Sequence, residues 1–360
     1  MPSLFDPITL GAIEAQNRIL MAPLTRGRAT GDHVPTPLMI DYYRQRASAG
    51  LIITEGTGIS QEGLGWPNAP GIWSDAQVEA WKPVTAAVNE AGGRIVTQLW
   101  HLGRMARADV TGSQPLSSSA TTAPARPGAT TNPNVEAKPM TADDIARTLD
   151  DYHRAADNAR RAGFDGVELH AANGYLVDQF MRDGTNFRDD DYGGPPENRL
   201  RLLREVVGRL IDAIGADRVG VRFSPNGESQ GTDDSNPEAV FVPAARWLGE
   251  QGIAFLELRE IGPEGTFGRS EVPKLSPMIR PVFAGPLLLN QDYGFDSGQA
   301  DLDRGLADAI AFGRPWLANP DLVERFRQGA PLNVPNTRTF YTPGPEGYTD
   351  YQALPRLENA

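Results

Sequence analysis

Short apolar runs alternate with amphipathic helical stretches along the whole sequence, and this alternation most constrains the fold. Eight of the runs are typical of strands: Arg18–Ala22, Leu51–Glu55, Arg94–Leu99, Gly166–His170, Arg218–Phe223, Ile253–Leu258, Pro286–Leu289 and Asp308–Phe312. A helical pattern follows each strand, near residues 36–48, 75–91, 141–162, 195–214, 237–251, 276–283, 296–305 and 319–328. Strictly alternating strand–helix units require parallel strands, and eight such strands close a barrel. The sequence therefore predicts a single (β/α)8 TIM barrel spanning residues 1–360.

An open, doubly wound sheet is the alternative arrangement for the same alternation. Its usual mark is a glycine-rich turn after the first strand, but the first strand here ends in Met21-Ala-Pro-Leu-Thr25, without glycine. The nearest G-x-G, Gly56-Thr57-Gly58, lacks a third glycine at the required spacing. Because a chain of 360 residues also suits one barrel with insertions, the pattern favours the barrel.

Three long segments interrupt the alternation, and each follows the C-terminal end of a predicted strand. Residues 102–140 are rich in Ser, Thr, Ala and Pro and follow strand three, whereas residues 224–236 and 259–275 follow strands five and six. Barrel enzymes carry their chemistry on this face, and long loops there form lids or pocket walls. We expect residues 102–140 to form such a lid or insertion, and the tail, 331–360, to fold back over one face.

The composition excludes several classes of function. The absence of cysteine rules out a disulfide scaffold, a thiol nucleophile, an iron–sulfur cluster and a thiolate zinc site. A net charge of −12 argues against nucleic acid or an anionic membrane as a partner. The four histidines lack the spacings of a metal site, so we expect no metal. No run resembles a signal peptide or a membrane span, which predicts a cytoplasmic protein.

Polar and aromatic side chains cluster at the C-terminal ends of the predicted strands. The period of two places Gln98 and Trp100 on one face of strand three, and it points Arg222 into the barrel mouth. Each residue also has a purely structural explanation; Arg222, for example, could pair with Glu168. Burying so many polar groups at one rim without a ligand is costly, so their convergence indicates a binding site. The set comprises Thr25, Glu55, Gln98, Trp100, His170, Asn173, Tyr175 and Arg222.

The ends of strands seven and eight suggest a phosphate site. Strand seven ends in Asn290-Gln291-Asp292, and strand eight ends in Gly313-Arg314, just before a helix that Asn319-Pro320 is expected to open. In many barrels these two loops bind phosphate through backbone N–H groups and a helix N-terminus. A glycine allows close approach, and an adjacent arginine supplies a bidentate charged clamp.

Six segments resemble the signature sequences of the Old Yellow Enzyme family, most closely the bacterial cyclohexenone-type ene-reductases. The likeness runs in order from residue 4 to about residue 351, and it therefore covers nearly the whole chain. The segments are Met21-Ala-Pro-Leu-Thr-Arg-Gly-Arg28, Gln98-Leu-Trp-His-Leu-Gly-Arg104, His170-Ala-Ala-Asn-Gly-Tyr-Leu-Val-Asp-Gln-Phe180, Tyr192-Gly-Gly with Glu197-Asn-Arg199, Val221-Arg-Phe-Ser-Pro225 and Ala311-Phe-Gly-Arg-Pro-Trp-Leu-Ala-Asn-Pro-Asp321.

The resemblance implies a barrel that binds FMN non-covalently, takes hydride from NADPH or NADH and reduces activated alkenes such as enones, enals, maleimides and nitroalkenes. Carried over by position, Tyr175 would donate the proton, and His170 and Asn173 would bind the substrate carbonyl. Trp100 and Tyr341 would shape the substrate pocket. The residues implied for the flavin ring are Pro23, Leu24, Thr25, Gly56, Gln98 and Arg222, and those for the phosphate are Asn290, Gln291, Gly313 and Arg314.

Two positions depart from the common family pattern. The family often has a glycine-containing triplet after strand seven, whereas this chain has Asn290-Gln291-Asp292, so Asp292 is expected to point away from the phosphate. Many relatives have a second histidine where this chain has Asn173, which donates a hydrogen bond without titrating.

Two other functions compete with the ene-reductase. One is a flavin-free or metal-assisted barrel isomerase or hydrolase, which the missing histidine pairs and strand-end acids disfavour. The other is a flavin-binding redox sensor that does not turn over, although Tyr175, His170 and Asn173 are intact. The sequence is compatible with either a monomer or a homodimer.

Overall fold

The computed structural model describes residues 1–125, 132–266 and 268–355, and these ranges contain twelve strands. In chain order they are β1 (Ile8–Leu10), β2 (Ile13–Ala15), β3 (Ile19–Met21), β4 (Ile52–Gly58), β5 (Ile95–Trp100), β6 (Leu116–Ser117), β7 (Lys138–Pro139), β8 (Gly166–His170), β9 (Val219–Phe223), β10 (Phe255–Arg259), β11 (Leu287–Asn290) and β12 (Ala309–Phe312). Strands β3, β4, β5 and β8 to β12 form a closed barrel of parallel pairs, which β12 completes by pairing with β3. The predicted TIM barrel is confirmed.

Helices follow the barrel strands on the outside, as the alternation predicts. They are α1 (Pro37–Arg44), α2 (Asp75–Glu90), α3 (Ala108–Thr111), α4 (Ala142–Arg161), α5 (Leu176–Met181), α6 (Pro196–Arg199), α7 (Arg201–Ile214), α8 (Pro237–Glu250), α9 (Ser276–Ile279), α10 (Phe295–Asp303), α11 (Arg314–Ala318) and α12 (Leu322–Gln328). The caps of α2 and α4 arise from their sequences, because the Ser74 and Thr141 side chains accept hydrogen bonds from the backbone N–H groups of Gln77 and Asp144.

The prediction that Asn319-Pro320 opens the last helix is wrong. The chain turns helical immediately after β12, because α11 begins at Arg314 with Pro315 in its first turn. Asn319 instead closes that helix: its Nδ2 donates to the Pro315 carbonyl at 2.7 Å, and its Oδ1 accepts from the Asn333 N–H at 2.7 Å. Arg314 therefore stands at the barrel rim itself.

The N-terminal end of the barrel is closed by the antiparallel β1–β2 hairpin. Its residues Leu10 and Ile13 pack in one apolar cluster with Leu20, Phe255 and other residues of the barrel interior. The hairpin is fixed to the barrel by a 2.8 Å bond from the Ala12 N–H to the carbonyl of Asp217, just before β9. The opposite, C-terminal end of the barrel is consequently the face available for a site.

The segment 102–140, as far as it is described, packs against the helix that follows β8. Residues 126–131 of this predicted lid lie outside the described residues, as do residue 267 of the segment 259–275 and residues 356–360 of the tail. Strands β6 and β7 pair in parallel within the segment. The Ser117 hydroxyl donates to Gln179 Oε1 at 2.8 Å, and the Ser118 hydroxyl donates to the Gln179 carbonyl at 3.0 Å. The base of the segment is thus anchored next to α5.

The tail returns to the C-terminal face of the barrel, where two buried arginines bind its backbone. Arg28 donates to the carbonyls of Thr339 and Phe340 at 2.9 and 2.8 Å, and Arg26 donates to the Gly347 carbonyl at 2.6 Å. Tyr348 of the tail is fully buried and stacks on Tyr42 of α1, with ring centroids 4.0 Å apart. These contacts fix the position of the tail over the end of β3.

Within the described ranges, no helix has the length and apolarity that a membrane crossing needs.

Candidate active site

The mouth of the barrel opens beside the residues that follow β3. Pro23, Leu24 and Thr25 are each half-buried, although the chain before and after them, Ala22 and Arg26, is buried. Glu55 at the centre of β4 fixes the next turn, because its carboxylate accepts from the backbone N–H groups of Arg26 and Gly27 at 3.0 and 3.1 Å. The three half-buried residues therefore line a space at the barrel mouth.

Gln98 and Arg222 lie inside the barrel below this mouth, and both are nearly fully buried. Gln98 Nε2 donates to Glu168 Oε1 at 2.7 Å. Arg222 Nε donates to Glu257 Oε1 at 3.0 Å. The predicted inward direction of Arg222 is correct, but its suggested pairing with Glu168 is wrong, because the carboxylate that receives it is on β10 rather than β8.

An aromatic cluster forms the wall on the β5 and β8 side. The Tyr175 ring stands edge-on to the rings of His170 and Trp100, with centroids 4.8 and 5.0 Å away. Gly56 on β4 makes room for Trp100, since a Cβ at this position would lie 2.5 Å from the indole ring. Three residues that the sequence predicts for the pocket are thus in mutual contact, and Gly56 serves at least to admit the indole.

The electrostatic surroundings of this cluster keep its titratable groups neutral. Burial, together with the charges of Arg222 and Arg259, holds the pKa of His170 well below its usual range. Burial raises the pKa of the Tyr175 phenol. At neutral pH the imidazole is therefore uncharged and the phenol keeps its proton. His170 Nδ1 is buried and has no hydrogen-bond partner among the described residues.

Asn173 is held in a strained turn with a defined side-chain orientation. Its φ of 58° is left-handed, and its backbone N–H donates to Ser224 Oγ at 2.7 Å. Arg259 Nη1 donates to Asn173 Oδ1 at 2.9 Å. Because a guanidinium can only donate, this bond fixes which end of the amide is the oxygen. The Asn173 NH2 group is consequently the end that can donate to another acceptor.

Sequence reasoning missed Arg259, the last residue of β10. It is buried, and its Nε also donates to Gln291 Oε1 at 3.0 Å. Burial and repulsion from Arg222 lower the pKa of this guanidinium to about 10, so it stays charged at neutral pH. The period of two on this strand, through Phe255 and Glu257, points Arg259 inward and could have identified it.

Sequence reasoning also missed Gln230, in the loop after β9. Its Nε2 donates to the Asn173 carbonyl at 2.7 Å. Its amide also lies near the Tyr175 phenol and lowers the pKa that burial raises. Gln230 has a left-handed φ of 55° in an irregular loop, where no periodic pattern predicts the direction of a side chain.

The predicted phosphate residues lie together at the ends of β11 and β12. Asn290 is turned into the barrel, where its Oδ1 accepts from Arg222 Nη2 at 2.7 Å. Gly313 and Arg314 form the start of α11, and a Cβ on Gly313 would meet nothing closer than Leu24 at 3.6 Å. Gln291 and Arg314 are half-buried at the same rim.

The expectation that Asp292 points away from this rim is wrong. Its carboxylate accepts hydrogen bonds from the Arg314 guanidinium and from the backbone N–H and hydroxyl of Thr266. Burial acts to raise the pKa of Asp292, but these bonds outweigh it and hold the pKa below the usual value. The sequence Gln291-Asp292, with φ of 100° and 57°, turns the carboxylate back toward Arg314.

The outer edge of the site is formed by the tail and by the loop after β4. Tyr341 is 56% exposed, and its ring centroid lies 5.7 Å from that of Trp66, which sequence reasoning did not select. Trp66 in turn contacts Trp100, with centroids 6.1 Å apart. Tyr341 therefore reaches the aromatic wall through Trp66 and stands at its rim.

The donor set suits an anionic group better than a metal. Three arginines, Arg222, Arg259 and Arg314, gather at one side of the mouth of a chain whose net charge is −12. Gln98 and Thr25 add an amide and a hydroxyl beside them. Among the residues that the structure describes, no three histidines, aspartates or glutamates gather as a metal site would require.

Comparison with known proteins resolves the family. The model of the NADH:flavin oxidoreductase / NADH oxidase family matches residues 3–333. The chain belongs to this family. It is 39% identical to 12-oxophytodienoate reductase 2 of Arabidopsis thaliana over 363 residues, which cover 98% of this chain and 96% of that protein. It is also 41% identical to chanoclavine-I aldehyde reductase of Penicillium roqueforti, with 100% and 99% covered.

Solved structures of the Old Yellow Enzyme family have the same fold. The Old Yellow Enzyme homologue of Zymomonas mobilis is 61% identical, with a TM-score of 0.95 and coverage of 98% of this chain and 99% of that chain. Morphinone reductase is 44% identical, with a TM-score of 0.94 and coverage of 100% and 98%. The resemblance seen in the sequence is thus confirmed: the protein is an Old Yellow Enzyme family flavin oxidoreductase whose cofactor is FMN. The flavin-free isomerase or hydrolase is excluded by this membership.

Proposed function

We propose that the protein is an ene-reductase that reduces activated alkenes at the expense of NADPH or NADH. The observation that carries this proposal is the meeting of a neutral imidazole, a fixed amide donor and a protonated phenol at one rim, on His170, Asn173 and Tyr175. Two hydrogen-bond donors beside one proton donor are what the reduction of a carbonyl-activated double bond requires.

The residues at the barrel mouth indicate where the cofactor binds. FMN, when bound, accepts hydride from the nicotinamide and passes it to the β-carbon of the alkene. The arginines at this mouth suit both the phosphate and the electron-rich edge of a reduced flavin. We assign the ring to Pro23, Leu24, Thr25, Gly56, Gln98 and Arg222, and the phosphate to Asn290, Gln291, Gly313 and Arg314.

His170 and Asn173 bind the oxygen of the substrate. A neutral His170 donates one N–H, and the Asn173 amide donates a second because Arg259 occupies its oxygen. These bonds strengthen as negative charge develops on the substrate oxygen, and each such donor contributes about 3 kcal/mol of transition-state stabilisation. Since the donors are fixed before the substrate arrives, little reorganisation is needed during the reaction.

Tyr175 supplies the proton to the α-carbon. Burial keeps its phenol protonated at neutral pH, and the nearby Gln230 amide partly offsets the rise in its pKa. Trp100 and Tyr341 shape the pocket around the double bond. Enones, enals, maleimides and nitroalkenes share the polarised double bond that these groups would recognise. A structure of morphinone reductase holds tetrahydroNAD, which supports a nicotinamide donor here as well.

Isotope placement in the product tests this assignment directly. The purified enzyme, FMN, NADPH and 2-methylmaleimide are incubated in D2O, and the product is analysed by NMR. Proton delivery from a solvent-exchangeable group such as the Tyr175 phenol predicts deuterium at one ring carbon only, and NADPH deuterated at its transferable position predicts deuterium at the other. NADPH oxidation without any reduced alkene would contradict the proposal and favour a redox sensor.

A further inference from the structure

Two glutamates inside the barrel, below the barrel mouth, have no part in the chemistry described so far. Glu168 on β8 and Glu257 on β10 are both completely buried. Strand β9 lies between them: Glu168 is level with Gly220, whose side is covered by the Phe255 ring, and Glu257 is level with Arg222, two residues further along β9. Their carboxyl groups lie within hydrogen-bonding reach of each other.

Each carboxyl group uses one oxygen to hold a residue of the proposed flavin site. Glu168 Oε1 accepts from Gln98 Nε2 at 2.7 Å, and Glu257 Oε1 accepts from Arg222 Nε at 3.0 Å. The second oxygen of each, Oε2, is buried without a hydrogen-bond partner among the described residues. Two carboxylate oxygens are both acceptors, so the two groups can bond each other only if a proton lies between them.

The local charge balance also calls for a proton. Arg222 is the one guanidinium that hydrogen-bonds the pair among the described residues, and it contacts Glu257 and the neutral Asn290. Arg259 also acts on Glu257 through its charge, but it hydrogen-bonds Asn173 and Gln291 instead, so no cation contacts Glu168 directly among the described residues. Two neighbouring carboxylates are not both stable in the charged form away from water, and such a pair usually binds one proton. Burial and the charge of Glu257 raise the pKa of Glu168 well above its ordinary value, which makes Glu168 the side that carries it.

We propose that Glu168 and Glu257 hold one proton between their Oε2 atoms, and that this pair positions Gln98 and Arg222 for the flavin ring. The positioning half of this inference rests on the proposed function, which places those two residues at the ring. The shared proton does not, because it concerns only this chain. Glu168 and Glu257 are positioning residues: they act on the cofactor through the side chains that they hold.

Two substitutions at Glu168 distinguish the loss of the shared proton from the loss of the hydrogen bond to Gln98. E168Q imitates the protonated acid, since a glutamine can accept from Gln98 and donate to Glu257 at the same time. E168M has a similar size but can do neither. The matched control is E260Q, because the buried Glu260 carboxylate accepts from the backbone N–H groups of Leu275 and Ser276, and among the described residues it is hydrogen-bonded to neither Gln98 nor Arg222.

Infrared spectroscopy of the carboxyl C=O stretch at pH 8, with and without bound FMN, tests the proton. We expect a protonated-carboxyl band, sensitive to D2O, in the wild type and in E260Q and its loss in E168Q and E168M. A difference spectrum between wild type and E168Q that lacks this band would overturn the shared proton. Because the carboxyl band is also measured in the flavin-free protein, this experiment tests the shared proton even if the proposed function is wrong.

The FMN dissociation constant, measured by fluorescence quenching, tests the positioning. We expect E168Q to bind FMN within about twofold of the wild type and E168M to bind about tenfold more weakly, as for the loss of one buried hydrogen bond. Equal affinity in E168M and wild type would overturn the positioning role. Circular dichroism checks that E168M is folded. If it is not, E168Q decides: FMN binding about tenfold weaker than in the wild type would overturn the role, because that variant keeps both bonds.

Discussion

The phenol ring of Tyr175 stands edge-on to the imidazole of His170, with centroids 4.8 Å apart and planes at 76°. Asn173, two residues before Tyr175, belongs to the same turn after β8. One short segment thus places the proton donor next to both carbonyl-binding groups. This arrangement lets a single substrate contact all three residues at once, which is the basis of the first prediction.

Tyr175→Phe should slow alkene reduction much more than flavin reduction. The variant keeps the ring contacts with His170 and Trp100 but removes the proton, and a positioned acid is worth about 10²–10⁴-fold in rate. Stopped-flow measurement of the two half-reactions checks this. Tyr341→Phe is the control, because that tyrosine is 56% exposed at the rim. Equal losses in both half-reactions would remove Tyr175 from its role.

Gln230→Leu should slow the alkene half-reaction about tenfold and leave the flavin half-reaction unchanged. The leucine removes the amide that holds the Asn173 carbonyl at 2.7 Å and that lowers the pKa of Tyr175. The pH dependence of alkene reduction should shift upward with that pKa. Gln114→Leu, which removes a donor to the Glu136 carbonyl on the surface, should change neither rate. A wild-type rate for Gln230→Leu would contradict the role of this loop.

Arg28→Met should release the tail. Arg28 binds the carbonyls of Thr339, Phe340 and Glu346, and their loss from a buried site costs about 3 kcal/mol. We expect faster proteolysis after residue 331, a higher KM for the alkene because Tyr341 is displaced, and an unchanged FMN content. Arg44→Met is the control, since that arginine is largely exposed and pairs only with Asp41 among the described residues. A protease-resistant tail in Arg28→Met would show that other contacts suffice.

Acid should destabilise the fold through His101. Burial lowers the pKa of this imidazole from 6.5 to about 4. Between these values the unfolded chain binds a proton that the folded chain excludes, so stability is full above about pH 7 and falls as the pH drops toward 4, by about 3 kcal/mol. Urea unfolding at several pH values measures the slope. His101→Asn, whose Oδ1 can still accept from the Gly103 N–H, should reduce the slope by the share of His101 and leave the share of the buried His170, whose pKa is also lowered. An unchanged slope would contradict the role of His101.

Most of the fold could be predicted from the sequence because its signals are local and periodic. Each barrel strand is a short apolar run between turn residues, and the alternation of side chains along β9 was enough to predict that Arg222 points into the barrel. The same rule could not name its partner. Glu168 and Glu257 both point inward, and only the stagger between neighbouring strands brings Glu257 level with Arg222. Register is a property of the closed barrel rather than of any one segment.

The parts of the site that were missed lie where periodicity ends. The strand was predicted to end at Leu258, one residue before Arg259, so Arg259 was not recognised as an inward-pointing strand residue. Gln230 and Asp292 have left-handed backbone conformations in loops, and such turns reverse the direction of a side chain without a period to signal it. The direction of Asp292 toward Arg314 depends on Thr266, from a different loop.

The central claim is that this barrel transfers electrons from NADPH to an activated alkene through FMN. Its most direct test is the visible spectrum of the purified protein under anaerobic conditions, recorded before and after NADPH and then after 2-cyclohexenone. The account predicts flavin bands that bleach with NADPH and return with the enone. Bands that bleach and stay bleached, with the enone recovered unchanged, would contradict it.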